Sequence, residues 1–322
     1  MENATKPVTV CLNMIVKNEG KIITRLLDSV IDFIDSFCIV DTGSSDNTVD
    51  IIMDYFNRKQ IMGRLGFTEF VNFEKTRNEA IQMANGLSDY LLLMDADMVL
   101  EHSIDKNKLK KDYYAIFQEN NQIRYHNTRI IKNNGNFYYR GVTHEVVLSN
   151  KNVSGDLLDD TIARIIDYED GGSKDNKLER DKRLLLDNLE DQETQSRYYF
   201  YLANTLIALG DKKNAIEYYI KRIKKGGWKQ ELWCSCYKLG CIYYLEKDFT
   251  KAMFYFLEAY NYDPDRVENL FYLVTFYKQI DKLNISNIYL NLSLNILKNK
   301  KFDKGDLFLE MKFYNRQLWE DI

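Results

Sequence analysis

Tyr90-Leu-Leu-Leu-Met-Asp-Ala-Asp97 is a run of apolar residues ending in two carboxylates one residue apart. A short apolar run closed by a polar break reads as a strand buried on both faces of a mostly parallel sheet. In such a sheet the ligand crevice lies beyond the carboxyl ends of the strands, where Asp95 and Asp97 fall. Side chains at i and i+2 of an extended segment point the same way, so the two acids are expected side by side. Paired acids repel each other unless a cation intervenes, and oxygen ligands of this kind suit Mg²⁺ or Mn²⁺. Alone, the tripeptide reads sooner as an acidic turn after an ordinary strand. Its surroundings decide.

Upstream, Val8 to Val16 is apolar and β-branched, a first strand closed by Lys17-Asn-Glu-Gly20. Ile22, Ile23, Leu26, Leu27, Val30, Ile31 and Ile34 then follow helical spacing. Ser36 to Val40 is a second strand, ended by Asp41-Thr-Gly-Ser-Ser-Asp46, where Ser45 or Asp46 can cap a helix from about Thr48 to Arg58. Phe67 to Phe73 is expected as the third strand, and Glu74 to Asn85 as a helix stopping at Gly86. The order β-α-β-α-β-α-β predicts an α/β fold, a parallel sheet flanked by helices.

Downstream the pattern changes to β segments at Tyr113 to Gln118 and Gln122 to Lys132. Asn133-Asn-Gly135 signals a hairpin turn returning through Phe137 to Arg140 and into Gly141-Val-Thr-His-Glu145. Thr161 to Tyr168 is a further β segment. A loop, Glu169-Asp-Gly-Gly-Ser-Lys174, leads into a helix over about Asn176 to Leu189, so the first domain is expected to span 1–190.

Residues 191–322 read as all-helical with an internal repeat. Asp211-Lys-Lys-Asn-Ala215-Ile-Glu-Tyr-Tyr219 recurs 37 positions later as Asp248-Phe-Thr-Lys-Ala252-Met-Phe-Tyr-Phe256, and Ala203 and Gly240 share that offset. Helix pairs at this period, with small residues where helices touch, are the tetratricopeptide signature. Leu270 to Leu297 is expected as a third, degenerate unit and Trp319 as the anchor of a C-terminal cap.

Composition agrees with two folded domains. The chain has 322 residues, 45% hydrophobic and 13% aromatic, which excludes wholesale disorder. Net charge is −4 with pI about 5.6, and lysines are interspersed with acids, so no nucleic-acid face is expected. No stretch approaches the roughly 18 apolar residues of a membrane span. The first residues lack the pattern of a secretory signal, which makes cytoplasm the expected location, that of a host cell if the source is viral. The five cysteines read as reduced structural thiols.

Five segments carry a family resemblance: Met14-Ile-Val-Lys-Asn-Glu19, Ile39-Val-Asp-Thr-Gly-Ser-Ser-Asp-Asn-Thr48, Thr76-Arg-Asn78, Met94-Asp-Ala-Asp97 and Gly141-Val-Thr-His-Glu145. In this order they closely resemble family-2 glycosyltransferases of the GT-A fold, in the subgroup with C-terminal tetratricopeptide repeats. The resemblance implies metal-dependent transfer of a sugar from a nucleotide-sugar donor, with inversion at the anomeric carbon.

Elementary chemistry gives these residues roles. Asp41 can accept the imide N–H of a base; in the family the matching Asp contacts uracil, so a UDP-sugar is expected, with dTDP sharing that edge. Arg77 can reach the base or a phosphate, and Asn78 lies beside it. Asp95 is expected at the ribose or a metal-bound water. The resemblance implies Asp97 and His144 as ligands of Mn²⁺ or Mg²⁺, since in relatives a His of this region completes the metal site. Glu145 is the expected base, with Asp167 and Asp170 as alternatives, although adjacent strand residues such as His144 and Glu145 point to opposite faces. Lys174 could close over the diphosphate. The acceptor could be glycan, peptide or lipid-linked, bound with help from the repeats, and the oligomeric state stays open. A catalytically inactive tetratricopeptide adaptor is the alternative; a nucleotidyltransferase would want a better phosphate loop than Lys17-Asn-Glu-Gly20.

Overall fold

The first apolar run forms β1 (Val10–Val16), whose residues are almost all buried because neighbours cover both faces and both edges. The structure is a computed structural model and describes residues 6–120, 124–172, 176–300, 306–320 and 322. Contacts divide the chain into two units, 1–180 and 181–322. In the first unit β1 is followed by α1 (Ile23–Val30), β2 (Ser36–Asp41), α2 (Thr48–Lys59), β3 (Gly63–Phe67), α3 (Phe73–Met83), β4 (Tyr90–Leu93) and β5 (Met98–His102). Then come β6 (Tyr113–Glu119), β7 (Arg124–Lys132), β8 (Phe137–Arg140), β9 (Val146–Ser149), β10 (Gly155–Leu157) and β11 (Ala163–Asp167), and α4 (Lys177–Asp187) begins in this unit and continues into the second.

The main sheet is ordered β3-β2-β1-β4-β7-β6-β11-β5, with β10 beside β6, while β8 and β9 pair separately. Strands β3, β2, β1 and β4 run parallel, with Val16 opposite Asp41 and Asn13 opposite Leu93. That register brings Val16, Asp41 and the segment after Leu93 to one edge. Antiparallel β7 then joins β4, so the sheet is mixed. Helix α1 buries Ile23, Leu26, Leu27 and Val30 at helical spacing against this sheet.

One strand is displaced from its expected place. Phe67 to Phe73 carries the apolar residues, yet β3 is Gly63–Phe67, and Phe67 and Val71 are exposed. Packing chose the strand: a Cβ on Gly63 would meet the Phe37 ring at 2.4 Å, and one on Gly66 the Met83 sulfur at 2.7 Å. The edge strand is glycine-bearing because neighbours fill the side-chain space.

Asp112 ties the far side of the sheet together. Its carboxylate accepts from Lys132 Nζ at 2.9 Å and from both Ser154 N and Ser154 Oγ at 2.8 Å. The Ser154 N–H, with Lys132 and the Ser154 hydroxyl, holds the Asp112 carboxyl down to about 2 from 3.8. A depressed carboxyl contributes stability above its unfolded value, lost as pH falls towards its folded one. Thermal melts of wild type and Asp112→Asn are therefore expected to differ at pH 5 and to converge as pH falls from about 4 towards 2; a constant difference would dismiss this clamp.

The second unit is helical: α5 (Gln195–Ala208), α6 (Lys212–Lys225), α7 (Lys229–Leu245), α8 (Phe249–Tyr262), α9 (Glu268–Gln279), α10 (Leu283–Asn299) and α11 (Arg316–Glu320). Asp211 and Asp248, one repeat apart, accept the amides of Asn214 and Lys251 and so cap α6 and α8 alike. Gly240 of α7 lies where a Cβ would be 2.5 Å from the Phe256 ring of α8, which explains the small residue. Helices α9 and α10 supply the third hairpin, without a side-chain cap on α10. Trp319 is 1% exposed and donates to the Phe313 carbonyl at 2.7 Å. All cysteines are free; Cys11, Cys38, Cys234 and Cys236 are buried, and burial pushes their thiols upward. Among the described residues no helix is long and apolar enough to cross a membrane.

Candidate active site

The segment Met94–Asp97 does not continue β4; it turns, with Met98 N donating to the Asp95 carbonyl at 3.1 Å. The expectation of two parallel acids fails for that reason, since alternation holds only while the chain stays extended. Each acid receives its own surroundings.

Asp95 lies between two arginines. Arg77 Nη2 reaches Oδ1 at 2.5 Å and Arg129 Nη1 is 3.5 Å from Oδ2. Arg77 Nε also meets Glu145 Oε1 at 2.5 Å. Arg129 Nη2 donates to Gln118 Oε1 at 2.5 Å, and Gln118 Nε2 donates to Asp167 Oδ2 at 2.9 Å. A continuous polar chain thus runs Glu145–Arg77–Asp95–Arg129–Gln118–Asp167 along the floor of the site. Burial opposes ionisation of Asp95, but Arg77 and then Arg129 outweigh it and hold the carboxyl below its ordinary value. Both oxygens of Asp95 face guanidinium groups, and its side chain stays 27% exposed.

Asp97 has the opposite environment. Burial first, then the charges of Asp95 and Asp167, push its carboxyl up to about 6. Glu19, at the end of β1 and 7% exposed, goes up to about 7, again chiefly through burial, with Asp97, Asp46 and Asp95 adding repulsion. The strap after β11 covers both acids: Gly171 donates its N–H to Asp97, and Gly172 N donates to Glu19 Oε2 at 2.9 Å. A Cβ on Gly172 would lie 2.0 Å from the Asn18 carbonyl, so only glycine passes there. Arg25 of α1 grips the same strap, bidentate on Asp170 at 2.6 and 2.9 Å and 4.2 Å over the Tyr168 ring.

Two crowded carboxylates whose ionised forms are disfavoured match a hard divalent cation, which would relieve their repulsion. Asp97 and Glu19 are the oxygen donors that fit. Among the described residues no three His, Cys, Asp or Glu form a ready ligand group. His144 is exposed, with φ +52°. Residues 141–145 form a bend rather than a strand, and Gly141 has φ +118° with a hypothetical Cβ 3.2 Å from Glu145 Cα. His144 and Glu145 are therefore not constrained to opposite faces.

The remaining expected residues are distributed as follows. Asp41 is 3% exposed at the end of β2; its Oδ1 accepts Gly43 N and Ser44 N, both at 2.9 Å, while Oδ2 is buried with no hydrogen-bond partner among the described residues. Asn78 uses both ends of its amide on Tyr139 of β8, at 2.9 and 2.7 Å, and so holds that hairpin against α3. Of the alternative bases, Asp167 accepts Gln118 Nε2 and Glu169 N on its two oxygens, and Asp170 gives both oxygens to Arg25. Among the described residues, Glu145 alone of the three engages a partner through one oxygen only, its Oε1 on Arg77. Lys174 lies outside the described residues.

Glu19, Arg25, Gln118 and Arg129 were not singled out by sequence reasoning. A charged residue inside the strand-like Gln122 to Lys132 was the available signal for Arg129, and Glu19 stood in a quoted segment without a role. Their partners lie 11 to 153 residues away, which no local pattern encodes.

Residues 11–162 match the family Glycosyl transferase family 2, and residues 196–224 and 235–266 match the tetratricopeptide repeat. The SPbeta prophage-derived glycosyltransferase SunS of Bacillus subtilis is 27% identical over 241 residues, 69% of this chain and 54% of that protein. The chain thus spans about half the length of this curated relative. A tetratricopeptide repeat-containing protein of Synechococcus elongatus is 37% identical over 95 residues, 29% of this chain and 22% of that protein. Among solved structures, residues 1–349 of S. aureus TarS are 15% identical, with TM-score 0.43, covering 79% of this chain and 91% of that one.

Proposed function

We propose, from the family-2 glycosyl transferase domain and the repeats that follow it, that this chain transfers a sugar from a nucleoside-diphosphate sugar to an acceptor nucleophile, inverting the anomeric carbon. The observation carrying this reading is the Asp41 carboxylate. A buried acceptor without a donor is costly, and a base imide N–H at the strand edge supplies the missing partner. Uracil and thymine present that donor where cytosine does not, which supports UDP or dTDP as carrier.

Asp97, joined by Glu19 and the expected ligand His144, would hold Mn²⁺ or Mg²⁺. A bound cation supplies charge stabilisation for the departing diphosphate. The chain's own groups do the rest. Arg77 holds Glu145, whose second oxygen takes the acceptor proton as the acceptor oxygen bonds to the anomeric carbon and the bond to the diphosphate breaks. Arg77 and Asn78 position this wall by fixing Glu145 and β8, with Asp95 as the counter-ion. Lys174 is proposed to meet the diphosphate. The acceptor is a glycan, peptide or lipid-linked group that the repeats help to hold.

Calorimetry with UDP, dTDP, GDP and CDP in the presence of Mn²⁺ tests the reading. UDP and dTDP are expected to bind, and Asp41→Ala to weaken both by roughly 10–100-fold, the worth of one hydrogen bond to a charged group. Equal or absent binding of all four nucleotides would instead favour the inactive adaptor.

A further inference from the structure

Strands β8 and β9 form a two-stranded sheet apart from the main one, with Arg140 opposite Val146. Residues 141–145 are therefore the tip of a hairpin, and that tip carries His144 and Glu145. A lone hairpin is marginally stable, so its tip needs support from outside. One face of α3 supplies it. Phe73 N donates to the Val142 carbonyl at 3.2 Å, Asn78 brackets Tyr139 through both ends of its amide, and Arg77 Nε holds Glu145 Oε1. Glu74, three residues before Arg77 and four before Asn78, lies on the same face. Its Oε2 accepts Gly141 N at 2.6 Å and its Oε1 meets Arg140 Nη1 at 3.1 Å.

Glu74 binds the point where the chain leaves β8. Gly141 there has φ +118°, and the tip folds back so closely that a Cβ on Gly141 would lie 3.2 Å from Glu145 Cα. Holding the Gly141 amide therefore restrains the main chain that carries Glu145, whereas Arg77 restrains only its side chain. The first turn of α3 suits this acid, because the helix dipole favours a carboxylate there. A base needs both restraints: a misplacement of about 1 Å lowers turnover on the order of 10²-fold.

We propose that Glu74 is a positioning residue for Glu145: by binding the Gly141 amide and Arg140 it sets the main chain of the hairpin tip, so that the Glu145 carboxylate stands where the acceptor proton departs. This role rests on the glycosyl-transfer reading. It divides the labour of α3, with Asn78 fixing the stem of the hairpin, Arg77 the carboxylate and Glu74 the backbone between them. The role asks for an acceptor oxygen at Gly141 N and not for a charge, so glutamine can fill it and alanine cannot.

The test uses the full chain and two readouts: UDP release from UDP-glucose, UDP-galactose and UDP-N-acetylglucosamine with Mn²⁺ and water as acceptor, and amide hydrogen exchange at Gly141. Glu74→Ala is expected to lower kcat roughly 10–100-fold with donor KM within about twofold of wild type. Its Gly141 amide should exchange about tenfold faster or more, the mark of a tip that opens locally. Glu74→Gln should restore slow exchange and bring kcat to within about threefold of wild type. On a Glu145→Gln background Glu74→Ala should cost no further turnover, since residues acting through one group are not additive. An undiminished fall on that background, a raised KM at unchanged kcat, or a glutamine variant as slow as the alanine one overturns the proposal. Fast exchange with normal kcat overturns it as well. Should Glu74→Ala lose its melting transition, Glu74→Asp, one methylene shorter, takes its place with the same expectations. A wild-type chain that releases no UDP from any donor overturns the transfer reading, and the positioning role with it; the exchange readout separates that failure from a Glu74 that holds nothing.

Discussion

Arg77→Ala is expected to destabilise the first unit by about 3–5 kcal/mol, the cost of breaking a buried ion pair from one side. The guanidinium is 8% exposed and serves two carboxylates, Asp95 and Glu145, whose side chains are 27% and 13% exposed. Removing it leaves Glu145 with no cation in this chain of contacts and Asp95 with only the more distant Arg129. For a unit of this size the midpoint of thermal unfolding should fall by roughly 10 °C. A second substitution identifies the cause. Glu145→Gln placed on Arg77→Ala removes one stranded charge and should recover part of the loss, a coupling that a double-mutant cycle reads directly. Additive losses would mean that Arg77 matters through its packing on Tyr139, 5.4 Å from the guanidinium, and not through its charge.

Asp97→Asn is expected to act in the reverse sense, removing activity while sparing the fold. On the glycosyl-transfer reading, Asp97 anchors the ion that offsets the leaving diphosphate. Its loss forfeits several kcal/mol of stabilisation, roughly a 10²–10³-fold fall in donor turnover. Excess EDTA on the wild-type protein should produce a similar fall, and full activity in EDTA would remove the metal role. Stability should hold or rise, because the carboxylate is buried among Asp95, Asp167 and Glu19 and its charge works against the fold. A variant that lost its melting transition together with its activity would instead make Asp97 structural. The two substitutions therefore divide the floor of the site: one side is paired and supports the fold, the other is unpaired and available for chemistry.

Much of this was legible before the structure. Strands β1, β2 and β4 announce themselves through continuous apolar runs, because a strand buried on both faces has no room for polar residues. The acids at their ends follow from chain direction alone. Asp41, Asp97 and Glu145 could be named because each stands where an apolar run or hairpin gives way to polar residues. Asp95 and Asp97 were given separate roles, but their separate surroundings could not be read, since they depend on the turn after Leu93 and on Arg129 arriving from β7, 34 residues after Asp95. Nor could β3 be placed, because Gly63 and Gly66 lack the side chains that a hydrophobicity pattern reads. Periodicity reports which face of an element is covered, not which residue covers it. In the second unit the repeated Asp211 and Asp248 caps are local and were visible as a repeat, whereas the course of residues 306–320 over three hairpins was not.

That course bears on how the second unit folds. A stack of helical hairpins in which each touches only its neighbour behaves as a one-dimensional chain: its ends fray, and loss can spread repeat by repeat. Here Phe308 sits on α5 of the first hairpin and Phe313 and Trp319 on α9 of the third, so a single strap of residues links the two ends of the stack. The line becomes a loop. Opening any one hairpin then costs the strap's contacts at the others, converting gradual fraying into a single all-or-none transition, at the price of slower folding through long-range closure.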